Sequence, residues 1–195
     1  MAKVSMADAL EEIDPRTELD SHANMVVLGK HCFVFDHVQG RTCEVESYDP
    51  AMRKAKHIPV VDAAITYDCP YTLKTYLLIV RNALHIPTMN NNLIPPFILH
   101  EAGLKVNDVP KIHVDSPKVS HHAIEFSEQE DGAGLRIPLQ LWGVFSFFHT
   151  RAPTHKEAAE LELLLLTPDS DHWNPHSEHF AKNEESASNT GKISF

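Results

Sequence analysis

The sequence has little of what several large functional classes require. Its 195 residues include 17 Lys and Arg against 27 Asp and Glu, which gives a formal net charge of −10. Nucleic-acid binding needs a basic surface, and the densest basic cluster is only residues 53–56. No stretch approaches the ~20 consecutive apolar residues of a membrane span. We therefore expect neither a nucleic-acid partner nor a membrane-spanning segment.

Cysteine is also scarce, and Cys32, Cys43 and Cys69 form no Cys-x-x-Cys pair. An odd number at such spacings predicts reduced thiols rather than disulfides. The first residues contain no apolar signal core, because residues 6–10 run directly into Glu11 and Glu12. Together these features predict a cytoplasmic protein.

Motifs of other hydrolases and of metal sites are missing. The sequence has no Gly-x-Ser-x-Gly elbow, no His-Glu-x-x-His, and no cysteine with neighbours that would lower its pKa. A metal site built from His172, His176 and His179 with the His121-His122 pair is an alternative, but Pro175 interrupts a shared helical face. Scattered surface histidines explain the pattern better. We predict no metal and no cofactor.

What the sequence does contain is an acidic turn between two apolar segments. Residues 19–23 read Leu-Asp-Ser-His-Ala, and residues 25–29 read Met-Val-Val-Leu-Gly. An acid after a short apolar approach, then a hydroxyl residue, a small-residue turn and a second apolar strand, is how aspartic proteases hold a catalytic carboxylate. This makes Asp20 the candidate catalytic residue. The alternative is an ordinary Asx turn between two strands.

A second stretch strengthens the first. Residues 79–94 read Ile-Val-Arg-Asn-Ala-Leu-His-Ile-Pro-Thr-Met-Asn-Asn-Asn-Leu-Ile. Together the two stretches resemble the protease-like domain of copia-type retrotransposon polyproteins. The family motif is Asp-Ser-Gly-Ala or Asp-Ser-His-Ala, followed later by Val-Leu-Tyr-Val-Pro, a short turn and Asn-Leu-Leu-Ser-Val. The resemblance covers about residues 17–103.

The resemblance implies a mostly β (α+β) fold with a small retropepsin-like β-barrel, closed or partly closed, short helices and a helical C-terminal appendage. The expected divisions are an N-terminal arm at 1–16, the barrel domain at 17–114, the appendage at 115–182 and a flexible tail at 183–195. Within the barrel, the second half would place Asn92, Leu93 and Ile94 beside the Asp20 loop.

A covering flap is also implied by the resemblance. The hairpin turn between two β-rich runs would supply it, and an ordinary meander hairpin is the alternative. The flap candidates are Tyr67, Asp68, Cys69, Pro70 and Tyr71.

Aspartic proteolysis needs two carboxylates that share one proton, and the motif supplies one per chain. A homodimer is therefore expected, since a two-fold axis places the same residue opposite itself. Ser21 would hydrogen-bond across the axis, and His22, Ala23 and Asn24 would complete the active-site loop. His22 stands where the commoner motif has glycine, and Asn24 where many relatives have an acid.

Two functions follow from these observations. The first is an aspartic endopeptidase that cleaves a polypeptide substrate, the junctions of a retrotransposon polyprotein. The second is a non-catalytic assembly module, in which the apolar residues 135–148 and a leucine-rich helix at 161–166 form an oligomer surface.

Local patterns predict several further elements. A short helix is expected at 95–103, between two prolines and a glycine, and Thr154 and Glu157 have capping-box spacing before a helix at 158–166. Gly29 is expected at a turn or a close backbone approach. The predicted strands are residues 31–35 and 43–48 with a turn at 38–41 between them, 58–67, 72–80, 104–106 and 111–114. Residues 5–13 are predicted as a short helix, with disorder as the alternative.

Overall fold

The computed structural model describes residues 14–45, 55–126, 134–171 and 173–189. The predicted helix at residues 5–13 lies outside these ranges. The strands are β1 (Arg16–Leu19), β2 (Val27–Leu28), β3 (Phe33–Val45), β4 (Ala55–Asp68), β5 (Thr75–His85), β6 (Asn92–Ile94), β7 (Lys105–Asn107), β8 (Ala123–Glu125), β9 (Arg136–Pro138), β10 (Gln140–Trp142), β11 (Phe145–His149) and β12 (Leu163–Leu165). The helices are α1 (Pro96–Glu101), α2 (His155–Glu160) and α3 (Glu178–Asn189).

Most of the strands belong to one sheet. Its order is β10-β11-β1-β6-β2-β5-β4-β3, with β12 added beside β5, and β7, β8 and β9 form a second, three-stranded sheet. The mostly β class is therefore confirmed. No ladder joins the outer strands β10 and β3 within the described ranges, so a closed barrel is not found there.

The predicted hairpin at residues 58–80 is confirmed. Strands β4 and β5 pair antiparallel as far as Asp68 and Thr75, and the Cys69 N–H donates to the Lys74 carbonyl oxygen across the turn at 2.9 Å. Leu73 takes a positive φ of 56° in this turn. The β-rich sequence on both sides and the Pro70 turn account for the hairpin.

The predicted turn at residues 38–41 is wrong. Strand β3 continues through it and pairs with β4, with a register shift between His37 and Thr42. Gly40 absorbs the irregularity with a φ of +74°. Glycine adopts such a φ without steric cost, so the strand is distorted rather than reversed.

The leucine-rich helix at 161–166 is also wrong, although its start is confirmed. Thr154 and Glu157 make both hydrogen bonds of a capping box, but α2 ends at Glu160. The leucines that follow form β12, parallel to β5. Leu164 and Leu166 are then buried while Leu163 stays 60% exposed, so alternation along a strand places two leucines in the core.

Three shorter predictions have mixed outcomes. The helix at 95–103 is confirmed as α1, which begins with Pro96 and is followed by Gly103 at a φ of +78°. The strand at 104–106 is confirmed as β7. The strand at 111–114 is wrong, because Lys111–His113 is a 3-10 turn and Ile112 is 75% exposed, with no neighbouring strand for it.

One hydrophobic cluster connects the main sheet to the second sheet. It contains Leu19, Ile94 and Leu99 from the predicted barrel domain together with Phe148 and Leu164 from the predicted appendage. Residues on both sides of the expected division at 114/115 therefore share a core. Among the described helices, none has the length and apolar character needed to cross a bilayer.

Candidate functional site

The Asp20 loop lies at the centre of the main sheet. Asp20 directly follows β1, and its N–H donates to the Ile94 carbonyl oxygen at 3.0 Å. Strand β6 pairs parallel to β1 on one side and antiparallel to β2 on the other, through Val27 and Leu93. The two sequence stretches that predicted the site are thus brought together, with Asn92, Leu93 and Ile94 beside the loop.

The Asp20 carboxylate is held by its own turn. Its Oδ1 accepts a hydrogen bond from the His22 N–H at 2.9 Å, and 34% of the side chain is exposed. This hydrogen bond is the one that an Asx turn makes, so it is common to both interpretations of the motif. The position of the turn in the sheet, rather than this hydrogen bond, is therefore what distinguishes a catalytic Asp20 from an ordinary Asx turn.

The loop accommodates a histidine at position 22 without backbone strain. The φ of His22 is not positive, and its side chain is 89% exposed. The imidazole Nδ1 lies 3.9 Å from Asp20 Oδ1 and 3.4 Å from Ser21 Oγ. Histidine at position 22 thus places an imidazole beside the carboxylate without straining the backbone.

Behind the loop, a buried polar cluster joins four segments of the chain. Asn92 is 1% exposed; its Oδ1 accepts from the Gly29 N–H at 2.9 Å, and its Nδ2 donates to Thr17 Oγ1 at 3.2 Å. The Thr17 and Thr150 hydroxyls lie 2.9 Å apart and are also buried. Buried hydrogen bonds of this kind fix their partners, because breaking one leaves a desolvated polar group.

Gly29 is required by a close backbone approach, as the sequence predicts. A Cβ built on Gly29 would lie 2.4 Å from the Met89 carbonyl oxygen and 3.0 Å from that of Asn91. The Lys30 N–H donates to the same Met89 oxygen at 3.0 Å. The end of β2 is therefore in close backbone contact with the segment that leads into β6. This contact positions the two sides of the loop.

A cleft of about 630 Å³ opens beside the loop. Its wall combines loop residues with the end of β3 and the connection from β5 to β6. The residues that line it are His22, Ala23, Asn24, Met25, Val27, Cys43, Glu44, Val45, Leu84, Ile86, Met89, Leu93 and His176. Most of these side chains are apolar, as is usual for a binding cleft with a few polar groups.

The predicted flap residues lie elsewhere. The turn at 67–71 precedes β5, whose first residue, Thr75, is nine residues from Leu84 in the cleft wall, which is roughly 30 Å along a strand. Asp68 there accepts two hydrogen bonds from Arg151, at 2.7 and 3.0 Å. Instead, the end of β3, at Cys43, Glu44 and Val45, borders the cleft.

The far end of the hairpin has its own charge network. Arg151 also binds Glu157, at 2.6 and 2.9 Å, and this hydrogen bonding lowers the pKa of Glu157 to about 2. The same guanidinium holds the pKa of Asp68 below its usual value. The network joins α2 to the β4–β5 turn, so its role is structural.

The remaining candidates do not form a second centre. In the part of the chain that the structure describes, no group of three His, Cys, Asp or Glu side chains is placed to hold a metal ion. His172 lies outside that part, and the His122 ring is occupied by Ser146 of β11, whose Oγ lies 2.9 Å from Nε2. Cys32, Cys43 and Cys69 are free thiols, as predicted.

Sequence reasoning missed two parts of the site. The first is Thr150, which contacts Thr17 across 133 residues of chain. The second is Trp173, whose Nε1–H donates to the Asn24 carbonyl oxygen at 2.8 Å. Neither has a local signal, because both contacts depend on tertiary packing.

Comparison with protein-family models, with curated proteins and with solved structures found no match to this chain.

Proposed function

We propose that this chain is an aspartic endopeptidase of retropepsin-like design, in which two copies each contribute Asp20. The observation that supports this most is the setting of Asp20, which follows β1 and binds the carbonyl of Ile94 in the parallel strand β6. A partly exposed carboxylate in a rigid, strand-flanked turn is suited to pairing with the same carboxylate of a second copy.

The chemistry of such a pair follows from its shared proton. One Asp20 carboxylate accepts a proton from water while the other, protonated, donates to the oxygen of the peptide carbonyl. The water oxygen bonds to the carbonyl carbon and forms a tetrahedral diol. In its collapse the first carboxyl donates the proton it took from water to the amide nitrogen, a diol hydroxyl gives its proton to the second carboxylate, and the C–N bond breaks, which returns the pair to one shared proton.

The cleft beside the loop supports a polypeptide substrate. Met25, Leu84 and Ile86 give it apolar walls, and the exposed Ser21 and His22 border the carboxylate. An extended peptide could place apolar side chains in such a cleft while its backbone passes the Asp20 turn. The substrate we propose is the polyprotein of a retrotransposon, at its domain junctions.

Peptide cleavage tests the proposal. The purified chain is incubated from pH 4 to 7 with peptides that span the polyprotein junctions, and products are identified by mass spectrometry. We expect cleavage that is strongest at mildly acidic pH, is blocked by a statine-type inhibitor, and is abolished in Asp20→Asn. Asp115→Asn, a change to an exposed aspartate, is the matched control and should cleave normally. Cleavage that persists in Asp20→Asn would contradict the proposal.

An assembly module is the second candidate, and a specific surface favours it. The hairpin of β10 and β11 exposes Leu141, Trp142, Val144 and Phe145, with Val144 86% exposed. Strand β10 is also the outermost strand of the main sheet, and such an edge can pair with another chain. If the chain forms oligomers that Val144→Asp disperses, and no peptide is cleaved, this second function replaces the first.

A further inference from the structure

The C-terminal residues 173–189, which we call the C-terminal strap, pack against the Asp20 loop. The Trp173 side chain donates to the Asn24 carbonyl oxygen at 2.8 Å. A cavity of about 280 Å³ lies between the strap and both sides of the loop. It is lined by Ala23, Asn24, Pro95, Phe97, Ile98, Trp173, Pro175 and Phe180.

The strap is attached through a small aromatic cluster. The ring of Phe97, on α1, lies 5.2 Å from that of Phe180 and 6.2 Å from that of Trp173, and the two strap rings are 5.4 Å apart. Phe97 nevertheless remains 50% exposed. Trp173 also packs against the buried core, whereas the Phe97 side of the cluster remains open to solvent.

The rest of the strap is mainly in solvent. Within α3, Phe180 and Ala187 are half-buried, whereas Glu178, His179 and residues 181–186 are exposed. A helix of 12 residues is marginal when it is not packed against a protein surface. Loss of the Trp173 and Phe180 contacts should therefore release the whole segment.

The strap lies next to the two segments that flank Asp20. Asn24 is four residues from Asp20, which is at most about 14 Å along the chain. Pro95 follows Ile94, whose carbonyl binds the Asp20 N–H. Trp173 and Phe180 border the same cavity as Asn24 and Pro95, so a second copy that brought its own Asp20 to this loop would have to approach beside them.

We propose that the C-terminal strap competes with a second copy of this chain for the surface formed by Asn24, Pro95 and Phe97. With the strap in place the chain is a monomer with one carboxylate, and its release uncovers Phe97 for dimer formation. The inference rests on the proposed function in one respect, since it takes the two copies to meet at Asp20. It adds that the protein controls this meeting with its own C-terminal segment.

Dimer affinity of the full-length chain tests the competition. The variants are Trp173→Ala, Phe180→Ala and Trp173→Phe, the last of which keeps a ring and loses only the hydrogen bond to Asn24. Sedimentation equilibrium should show a dimer dissociation constant at least about tenfold lower for the alanine variants, and a smaller decrease for Trp173→Phe. Phe35→Ala, which removes an exposed ring on β3 outside the strap contact, is the control and should leave the constant unchanged.

The strap also carries its own reporter. The chain has two tryptophans, so Trp142→Phe leaves Trp173 as the only one. We expect the Trp173 emission to move to longer wavelength as protein concentration rises through the dimer transition, because release exposes the ring to water. A dimer that forms without this change, or alanine variants that dimerise more weakly than the wild type, would overturn the inference.

Cleavage assays on the same variants separate the two proposals. Tighter dimers that cleave no peptide would support the strap inference and contradict the endopeptidase. Variants whose dimer constant and Asp20-dependent cleavage both equal those of the wild type would contradict the strap inference and support the endopeptidase.

Discussion

The rear and the front of the Asp20 loop differ in how they are held. At the rear, Asn92 is 1% exposed and hydrogen-bonds to Gly29 and Thr17. At the front, the Asp20 carboxylate accepts one hydrogen bond from its own turn, and the neighbouring His22 is 89% exposed. The buried hydrogen bonds at the rear hold the loop in place. The carboxylate at the front therefore stays accessible to a second molecule.

The largest effect should come from the close approach at Gly29. Gly29→Ala places a Cβ 2.4 Å from a backbone oxygen, so the two segments must separate, and we expect a loss of more than about 3 kcal/mol in the free energy of unfolding. Urea denaturation measures it. Gly143→Ala is the control, because its φ is +57° with open space around it, and it should cost about 1 kcal/mol. Equal losses of stability in Gly29→Ala and Gly143→Ala would contradict a rigid rear side of the loop.

Asn92 should give the next largest effect. Asn92→Ala leaves the Gly29 N–H and the Thr17 hydroxyl buried without this partner, and we expect a loss of about 2–3 kcal/mol in the same measurement. Asn90→Ala, at an exposed position two residues earlier, should change stability by less than about 0.5 kcal/mol. If both variants unfold alike, the buried cluster does not hold the loop.

A substitution at the hairpin end opposite the loop should reduce stability less, and only by removing ion pairs. Arg151→Ala removes the partner of Glu157 and Asp68, and we expect a loss of about 1–2 kcal/mol at pH 7, since both ends of the network are partly exposed. The pKa of Glu157, lowered to about 2, means that the wild type has this stability above pH 4.5 and loses it as pH falls toward 2. Unfolding curves from pH 2 to 7 should be flatter for the variant. An unchanged slope would contradict this assignment.

His122 should give a smaller, pH-dependent effect. The ring is buried, with Nε2 2.9 Å from Ser146 Oγ, and burial lowers its pKa, with a further contribution from Lys111 that Asp108 opposes. As pH falls, the unfolded state therefore binds a proton at a higher pH than the folded state does. Stability decreases from about pH 6.5 down to the lowered pKa of the folded state. We expect His122→Gln to reduce this loss between pH 7 and 5. A steeper loss of stability in His122→Gln than in the wild type would contradict a lowered pKa of His122.

Much of the site was predictable because its signals are local. The Asp20 turn, the β4–β5 hairpin, α1 and the Thr154 capping box each depend on residues close together in sequence. The close approach at Gly29 was also predicted, since a glycine at the end of a strand often marks one. A mostly β fold follows from the same alternating patterns.

Other parts depend on contacts that no local pattern contains. Leu163 and Leu165 follow a helix start and have good helix propensity, but the edge of β5 makes them a strand. The resemblance implies a flap at residues 67–71, whereas the end of β3 borders the cleft. The contact between Trp173 and Asn24 spans 149 residues and became visible only in the folded chain.

The smallest change in stability belongs to the front of the loop, and it accompanies the largest change in function. Asp20→Asn keeps an oxygen that can accept from the His22 N–H, so we expect it to alter the free energy of unfolding by less than about 0.5 kcal/mol. A loss above about 2 kcal/mol would give Asp20 a structural role instead.

Calorimetric titration with a statine-type inhibitor tests the shared pair most directly. One inhibitor molecule bridges two Asp20 carboxylates, so the account predicts saturation at half an equivalent per chain and no binding to Asp20→Asn. Saturation at one equivalent per chain, or equal binding to the variant, would contradict it.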